Sequence, residues 1–175
     1  VNFLHNQQRA EATLAEYQAA GITTCLIQAD VITQTGIDTL FSQTEQQLGT
    51  PDILVPNATC DQPHKPIDQY DWEFYQAMID FFIKSPFLMT QRGMAAMKSA
   101  SWGRIINIVS EVYHRSVGNF SAYVAAKGGQ VGWTRSMATE FADCGITVNM
   151  IAPGWIPTDR HADDRQFFAG QRDKL

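Results

Sequence analysis

Short apolar runs alternate along the chain with longer segments in which apolar residues recur at helical spacing. The runs are rich in β-branched residues and predict strands at residues 1–4, 23–29, 52–56 and 104–110, and a further strand that begins at residue 146. The intervening periodicity, with glycines at several segment ends, predicts helices over residues 8–20, 36–48, 71–98 and 120–142. This alternation predicts an α/β fold in which a parallel sheet carries helices on both faces.

The longest predicted helix, residues 71–98, is expected to bury one apolar face. The residues assigned to that face are Tyr75, Met78, Ile79, Phe82 and Phe87. Pro86 lies four residues after Phe82. Because proline lacks the amide hydrogen that would bond to the carbonyl of residue 82, we expect a kink there.

Composition narrows the class of protein. A chain of 175 residues of which 45% are hydrophobic is expected to form one domain, residues 1–175, around one core. The net charge of −5 and the absence of a basic cluster disfavour nucleic-acid binding. No apolar run approaches the roughly 20 residues of a membrane span, so no membrane partner is expected. Cys25, Cys60 and Cys144 fit neither a disulfide framework nor a metal site, which favours a reducing, cytoplasmic location.

Three polar residues carry the candidate chemistry. Ser110 ends a predicted strand, Tyr123 follows it by thirteen residues, and Lys127 follows Tyr123 by four. Four residues are about one helical turn, so Tyr123 and Lys127 project from the same face of the predicted helix. A free tyrosine, with a pKa of about 10, is a poor acid–base catalyst at neutral pH. We therefore expect the Lys127 ammonium to lower the pKa of Tyr123.

This segment resembles the active-site region of the short-chain dehydrogenase/reductase family, with the 3-oxoacyl-carrier-protein reductases as the most similar group. Three other stretches resemble the family in the same order. Residues 24–31 resemble its third strand, residues 52–59 its fourth strand and Asn-Asn-Ala-Gly turn, and residues 146–158 its sixth strand and Pro-Gly-x-Ile-x-Thr loop. Pro56 and Thr59 depart from the turn motif. The resemblance extends to about Arg160 and implies a Rossmann-like, doubly wound, three-layer fold.

The resemblance implies a role for each matching residue. Tyr123 would be the general acid or base in hydride transfer between a nicotinamide nucleotide and a carbonyl or secondary alcohol. Ser110 would bind the substrate oxygen, and Lys127 would act on Tyr123 and touch the nicotinamide ribose. Asp30 and Val31 would frame the adenine. The remaining cofactor contacts would be Asn57, Ala58, Pro153, Gly154, Ile156 and Thr158. Read alone, Asp30 could cap a helix, Asn57 could form a turn, and Thr158 could be a helix N-cap.

Cofactor choice depends on the end of the strand at residues 1–4. An NAD-specific member of the family would usually place an acidic residue there, and Val1–Asn6 contains none. This favours NADP over NAD, with His5, Asn6 or Arg9 as phosphate neighbours, although the same residues also fit a solvated helix start. The substrate is expected to be a small molecule. Trp155 and residues 161–165 flank the predicted site.

The family's opening strand and glycine-rich turn have no counterpart here, nor does its last strand. In the family's strand order, the first strand would lie between residues 1–4 and 52–56. We therefore expect either an internal piece of a longer chain or a partner that supplies the strand. The helices at 71–98 and 120–142 resemble those through which the family forms dimers and tetramers. Gly128 and Gly129 would permit close helix approach in such a homo-oligomer.

Two other functions stay open. A halohydrin dehalogenase-like lyase shares the fold, the serine and the tyrosine, but carries arginine where Lys127 stands. A catalytically silent, nucleotide-sensing or scaffolding relative is the non-enzyme alternative. Departures at Pro56, Thr59 and Phe82 favour that alternative, because Phe82 aligns with the asparagine of the family's catalytic tetrad.

Overall fold

The computed structural model describes residues 1–154 and residue 156. The elements in the first third of the chain are β1 (Asn2–Phe3), α1 (Gln7–Ala19), β2 (Ile27–Gln28), α2 (Gln34–Leu48) and β3 (Ile53–Leu54). A long helical segment follows, made of α3 (Trp72–Ile79), a π-helical turn (Asp80–Lys84) and α4 (Ser85–Ala100). The last elements are β4 (Gly103–Ile108), α5 (Val112–Arg115), α6 (Ser121–Glu140) and β5 (Ile146–Ile151). Short 3-10 turns occupy Ile67–Gln69 and Ala142–Cys144.

All the strand pairings are parallel, and they form two sheets. β1 pairs with β2, while β4 lies between β3 and β5 in the second sheet. Within residues 1–154, no strand joins the two sheets. The predicted α/β fold is therefore confirmed.

Local sequence accounts for the helix boundaries. The Thr33 hydroxyl accepts a hydrogen bond from the backbone N–H of Gly36 and caps the start of α2, and Gly49 ends that helix. The Asp71 carboxylate caps α3 by accepting from the N–H of Phe74 at 2.8 Å. Most helix boundaries lie within two residues of the predicted ones. β1, β2 and β3 are each two residues long and therefore shorter than predicted, whereas β4 and β5 are six residues long.

Two packed clusters position the candidate site. One lies between β3–β5 and the helices α2 and α4, and includes Phe41, Ile105 and Phe141. The other joins α3 and the π-helical turn to α6, and its buried members are Met78, Phe82, Ala122 and Ala126. The second cluster holds the N-terminal half of α6 against the π-helical turn. This contact fixes the position of the helix that carries Tyr123 and Lys127.

The predicted buried face of the long helical segment is partly wrong. Met78 and Phe82 are buried, but Phe87 is 45% exposed. The π-helical turn bonds each amide to the carbonyl five residues earlier, as Ser85 N–H does to Asp80 O. This extra residue rotates the following helix relative to a 3.6-residue period, so Leu88 is buried in place of Phe87.

Among the described residues, no helix is both long enough and apolar enough to span a membrane. None of the three cysteines, all of which lie in the described part of the chain, forms a disulfide. Cys25 is buried, as expected of a small gap-filling residue, whereas Cys60 and Cys144 are half-buried.

Candidate active site

The candidate catalytic residues lie at the carboxyl edge of the second sheet. Ser110 follows β4 by two residues, and Pro153 follows β5 by two. Because β3, β4 and β5 are parallel and in register, their carboxyl ends share one edge. This is the edge at which open α/β sheets bind ligands. The backbone N–H of Glu111 donates to Pro153 O at 3.1 Å and ties the two strand ends together.

A side-chain hydrogen bond from Ser110 acts on the Tyr123 phenol and lowers its pKa. Tyr123 lies in the first turn of α6 and is half-buried. Its ring meets Phe82 edge to face at 5.3 Å between centroids, and meets Phe120 at 4.9 Å. These aromatic contacts restrict the ring and direct the phenol group towards the end of β4.

Lys127 is turned into the protein interior. Its side chain lies one helical turn beyond Tyr123, and the residue is only 3% exposed. The Nζ amine donates to the carbonyl of Ile108 at 2.6 Å and to Oε1 of Gln130 at 3.0 Å. It also lies 3.7 Å from the centroid of the Phe82 ring. Burial lowers the pKa of Lys127 to about 7, and the nearby Cys60 offsets part of that effect.

The expectation that Lys127 lowers the pKa of Tyr123 is wrong for this state of the site. Burial raises the pKa of Tyr123, the hydrogen bond from Ser110 lowers it, and Cys60 raises it further. The physical reason is that Lys127 directs its amine towards Ile108 and Gln130 and itself loses charge on burial. Tyr123 is therefore held as the neutral phenol at neutral pH.

A π-helical turn, Asp80–Lys84, lies where the sequence predicts a kink. Pro86 is fully buried at the start of α4, immediately after that turn. Since proline has no amide hydrogen, it cannot continue the α-helical bonding to the carbonyl of Phe82. The turn places the Phe82 ring against both Tyr123 and Lys127. Irregular helical turns of this kind often occur at functional sites.

Of the two residues expected near the adenine, Asp30 is partly exposed and Val31 is buried. Asp30 is half-buried, and its carboxylate accepts from the backbone N–H of Ile32 at 3.1 Å. Gly36 packs so closely that a β-carbon there would lie 1.9 Å from the carbonyl oxygen of Asp30. Val31 is 6% exposed and its side chain belongs to the core. Val31 therefore offers mainly its backbone to a ligand.

The other expected cofactor contacts are accessible where the structure describes them. Asn57 and Ala58 are exposed just beyond β3. Gly154 is exposed, and a β-carbon there would lie 3.4 Å from the carboxyl carbon of Glu111. Ile156 is 59% exposed. Thr158, Trp155 and residues 161–165 lie outside the described residues.

The sequence did not predict three groups that lie beside Tyr123 and Lys127. Gln130 bonds to Lys127, Phe120 packs on Tyr123, and Cys60 acts electrostatically on both residues of the pair. Gln130 had a readable signal, since it lies three residues after Lys127 on the same helix face. The contacts of Cys60 with this helix depend on tertiary packing and have no local signature.

The surroundings of the first strand bear on cofactor choice. The Asn6 side chain caps α1 by accepting from the backbone N–H of Arg9 at 3.0 Å. Asn6 is therefore the exposed N-cap of α1, which matches the alternative of a solvated helix start. His5 and Arg9 are exposed.

Comparison with known proteins places this geometry in context. The profile of the short chain dehydrogenase family matches residues 1–167. Nodulation protein G of Azospirillum brasilense is 37% identical over 160 residues, which are 90% of this chain and 64% of that protein. A 3-oxoacyl-(acyl-carrier-protein) reductase of Staphylococcus aureus is 36% identical over 163 residues, covering 91% of this chain and 64% of the reductase.

A solved structure agrees with these sequence relatives. The crystal structure of acetoin dehydrogenase from Enterobacter cloacae superposes with a TM-score of 0.83 at 30% sequence identity. The match covers 94% of this chain and 66% of that one. The chain thus spans slightly less than two thirds of the length of these relatives. The profile match over nearly the whole sequence shows that the chain belongs to the short chain dehydrogenase family.

Proposed function

We propose that the protein is an NAD(P)-dependent oxidoreductase that interconverts a carbonyl compound and a secondary alcohol through Ser110, Tyr123 and Lys127. The observation that carries the proposal is the Ser110–Tyr123 hydrogen bond, with Lys127 one helical turn away. The nicotinamide nucleotide supplies or accepts the hydride. The names of the relatives, a reductase and a dehydrogenase, agree with this reaction class.

Tyr123 and Ser110 have complementary roles in this proposal. The neutral phenol of Tyr123 donates its proton to the carbonyl oxygen as the carbon is reduced. The Ser110 hydroxyl binds the same oxygen and orients it towards the phenol. Because burial raises the pKa of Tyr123, the proton donor is fully populated at neutral pH. The site thus holds Tyr123 in the form that donates a proton during carbonyl reduction.

The carboxyl edge fits a dinucleotide in the chemistry of its groups. Asp30 after β2, the exposed side chain of Asn57 after β3 and the backbone around Gly154 after β5 offer hydrogen-bonding groups. Ala58, Pro153, Ile156 and Thr158 complete the proposed set of cofactor contacts. We favour NADP over NAD because residues 1–6 contain no acidic side chain and two exposed residues, His5 and Arg9, follow β1.

The partner of this chain is proposed to be a second copy. Trp72 and Phe87 are 65% and 45% exposed on the segment from α3 to α4, which is the part predicted to form dimers or tetramers. Large apolar side chains on one helical segment fit a homo-oligomeric contact better than open solvent. The proposed cytoplasmic location is supported by the cysteines, because Cys25, Cys60 and Cys144 form no disulfide with one another.

Replacing Tyr123 with phenylalanine tests the proposed reaction. We expect Tyr123→Phe in the full-length protein to lower turnover by at least about a hundredfold, as loss of a general acid does. Nucleotide binding, measured by fluorescence titration with NADPH, should stay within about twofold of wild type, because only a transferable proton is removed. Tyr17→Phe is the matched control, since Tyr17 is an exposed residue of α1.

The possible outcomes separate the candidate functions. Undiminished turnover in Tyr123→Phe would overturn the assignment of the general acid. A wild-type protein that binds NADPH but reduces none of a broad panel of ketones and aldehydes would instead be the catalytically silent, nucleotide-sensing relative.

A further inference from the structure

Gln130 is a buried polar residue that the family motif does not assign. It is 1% exposed and lies three residues after Lys127 on α6. Its Oε1 atom accepts a hydrogen bond from Lys127 Nζ at 3.0 Å. A buried amide that bonds to a functional amine differs from a core residue that only fills space.

The Lys127 amine is held by three uncharged groups. These are the Ile108 carbonyl at 2.6 Å, the Gln130 amide oxygen at 3.0 Å and the face of the Phe82 ring at 3.7 Å. Each stabilises the ammonium form through a dipole or a quadrupole, without a countercharge. Such a setting orients the amine but leaves its proton weakly held, in keeping with the lowered pKa of Lys127.

We propose that Gln130 is a positioning residue whose amide oxygen holds the Lys127 amine at the end of β4 and sets the proton affinity of that amine. The consequence for catalysis rests on the proposed function, since it assumes that Lys127 acts beside Tyr123. The holding contact itself does not depend on it.

Gln130 is itself fixed by a hydrogen-bonded chain. The Thr134 hydroxyl donates to the backbone carbonyl of Gln130 at 2.7 Å and accepts from Asn107 Nδ2 at 3.0 Å. Asn107 lies on β4 and is fully buried. The chain therefore joins α6 to the strand that presents Ile108. Both acceptors of Lys127 are held in one rigid unit.

The titratable neighbours of Lys127 can be assigned from each packed element. Cys60, from the loop after β3, and Tyr123, on α6 itself, face the amine. In the π-helical turn, Asp80 pairs with Lys84. At α5, Glu111 pairs with Arg115. The Tyr75 hydroxyl, on α3, bonds to Ser121. None of these contacts supplies the countercharge that a variant at Gln130 would introduce.

Two nearly isosteric variants test the proposal in opposite directions. Gln130→Glu places a carboxylate beside the amine, so the titration midpoint of Lys127 should rise by about one to three pH units. Gln130→Met removes the acceptor and should lower that midpoint by roughly half a unit or more. If Lys127 acts in turnover, the corresponding limb of the pH–rate profile should move in the same direction in each variant.

The titration is best followed by NMR of the full-length protein labelled with ¹³C at lysine Cε. The Lys127 signal is assigned by its loss in Lys127→Arg. Thr90→Val is the matched control, because Thr90 is buried on α4 and its hydroxyl bonds to neither Lys127 nor Gln130. Its Lys127 midpoint should stay within about 0.3 units of wild type. Circular dichroism checks that every variant is folded.

A measurement on the unmodified protein guards against variants that fail to fold. The Cδ resonance of Gln130 should shift with pH at the same midpoint as Lys127, because the two groups share a hydrogen bond. A Gln130 resonance that ignores the Lys127 titration, or variants that move the midpoint in the same direction, overturns the proposal. Opposite shifts in a protein without turnover would instead confirm the contact and refute the proposed function.

Discussion

The amine of Lys127 is buried, and burial of a protonated amine lowers the stability of the folded protein. Its pKa falls from 10.5 in the unfolded chain to about 7 in the folded protein, chiefly because of burial. A shift of this size corresponds to about 5 kcal/mol of lost stability when the amine is protonated in both states. Replacing Lys127 with methionine removes that cost but leaves the Ile108 and Gln130 oxygens without their donor, at about 1–3 kcal/mol. We expect Lys127→Met to be more stable than wild type by about 1–3 kcal/mol near pH 7.5.

The sign of the pH dependence follows from proton binding. Between pH 7 and 10.5, the unfolded chain holds the Lys127 proton more tightly than the folded protein does. The unfolded state therefore binds more protons, and the contribution of Lys127 to stability rises with pH across this window. The linkage relation gives a rise of about 2.5 kcal/mol between about pH 7.5 and about pH 9.5. The stability advantage of Lys127→Met should shrink by that amount over the same interval.

Urea unfolding followed by circular dichroism at several pH values measures this difference. Subtracting the free energies of unfolding of the two proteins cancels the titration of groups that they share. Lys98→Met is the matched control, because Lys98 is exposed near the end of α4 and its curve should run parallel to wild type. A wild-type-minus-Lys127→Met difference that does not change with pH would refute the reasoning, since Lys127 would then keep its ordinary pKa in the folded protein.

Two backbone predictions follow from the irregular parts of the fold. Pro86→Ala restores an amide donor for the Phe82 carbonyl and should shift the π-helical turn towards α-helical bonding. Because that turn places the Phe82 ring against Tyr123 and Lys127, turnover should fall about tenfold or more, and full activity would contradict this. Gly145→Ala should destabilise the protein by at least about 2 kcal/mol in urea unfolding, because Gly145 has φ +70° and a β-carbon there would lie 2.0 Å from the carbonyl oxygen of Ser101. Gly118→Ala, which meets nothing within 4 Å, should stay within about 0.5 kcal/mol of wild type, and equal losses in both variants would exclude the clash as the cause.

The order and type of the elements could be predicted because they depend on local patterns. Apolar periodicity and terminal glycines are properties of neighbouring residues, and they located α1, α2 and α6 closely. The spacing of Tyr123 and Lys127 similarly depends only on the pitch of one helix. The exposure of Phe87 could not be predicted in this way, because the π-helical turn changes the helical period just before it.

The residue pattern was enough to predict the α/β class, the strand-end position of Ser110 and the common helix face of Tyr123 and Lys127. The charge state of Tyr123 and Lys127 depends instead on how the chain packs in three dimensions. Packing against the π-helical turn buries the amine of Lys127, and burial penalises charge by removing water. The direction of that amine, towards Ile108 and Gln130 rather than towards the phenol, depends on where β4 meets α6. Ile108 and Phe82 are far from Lys127 in sequence, so the spacing of residues within α6 does not predict their contacts with the amine.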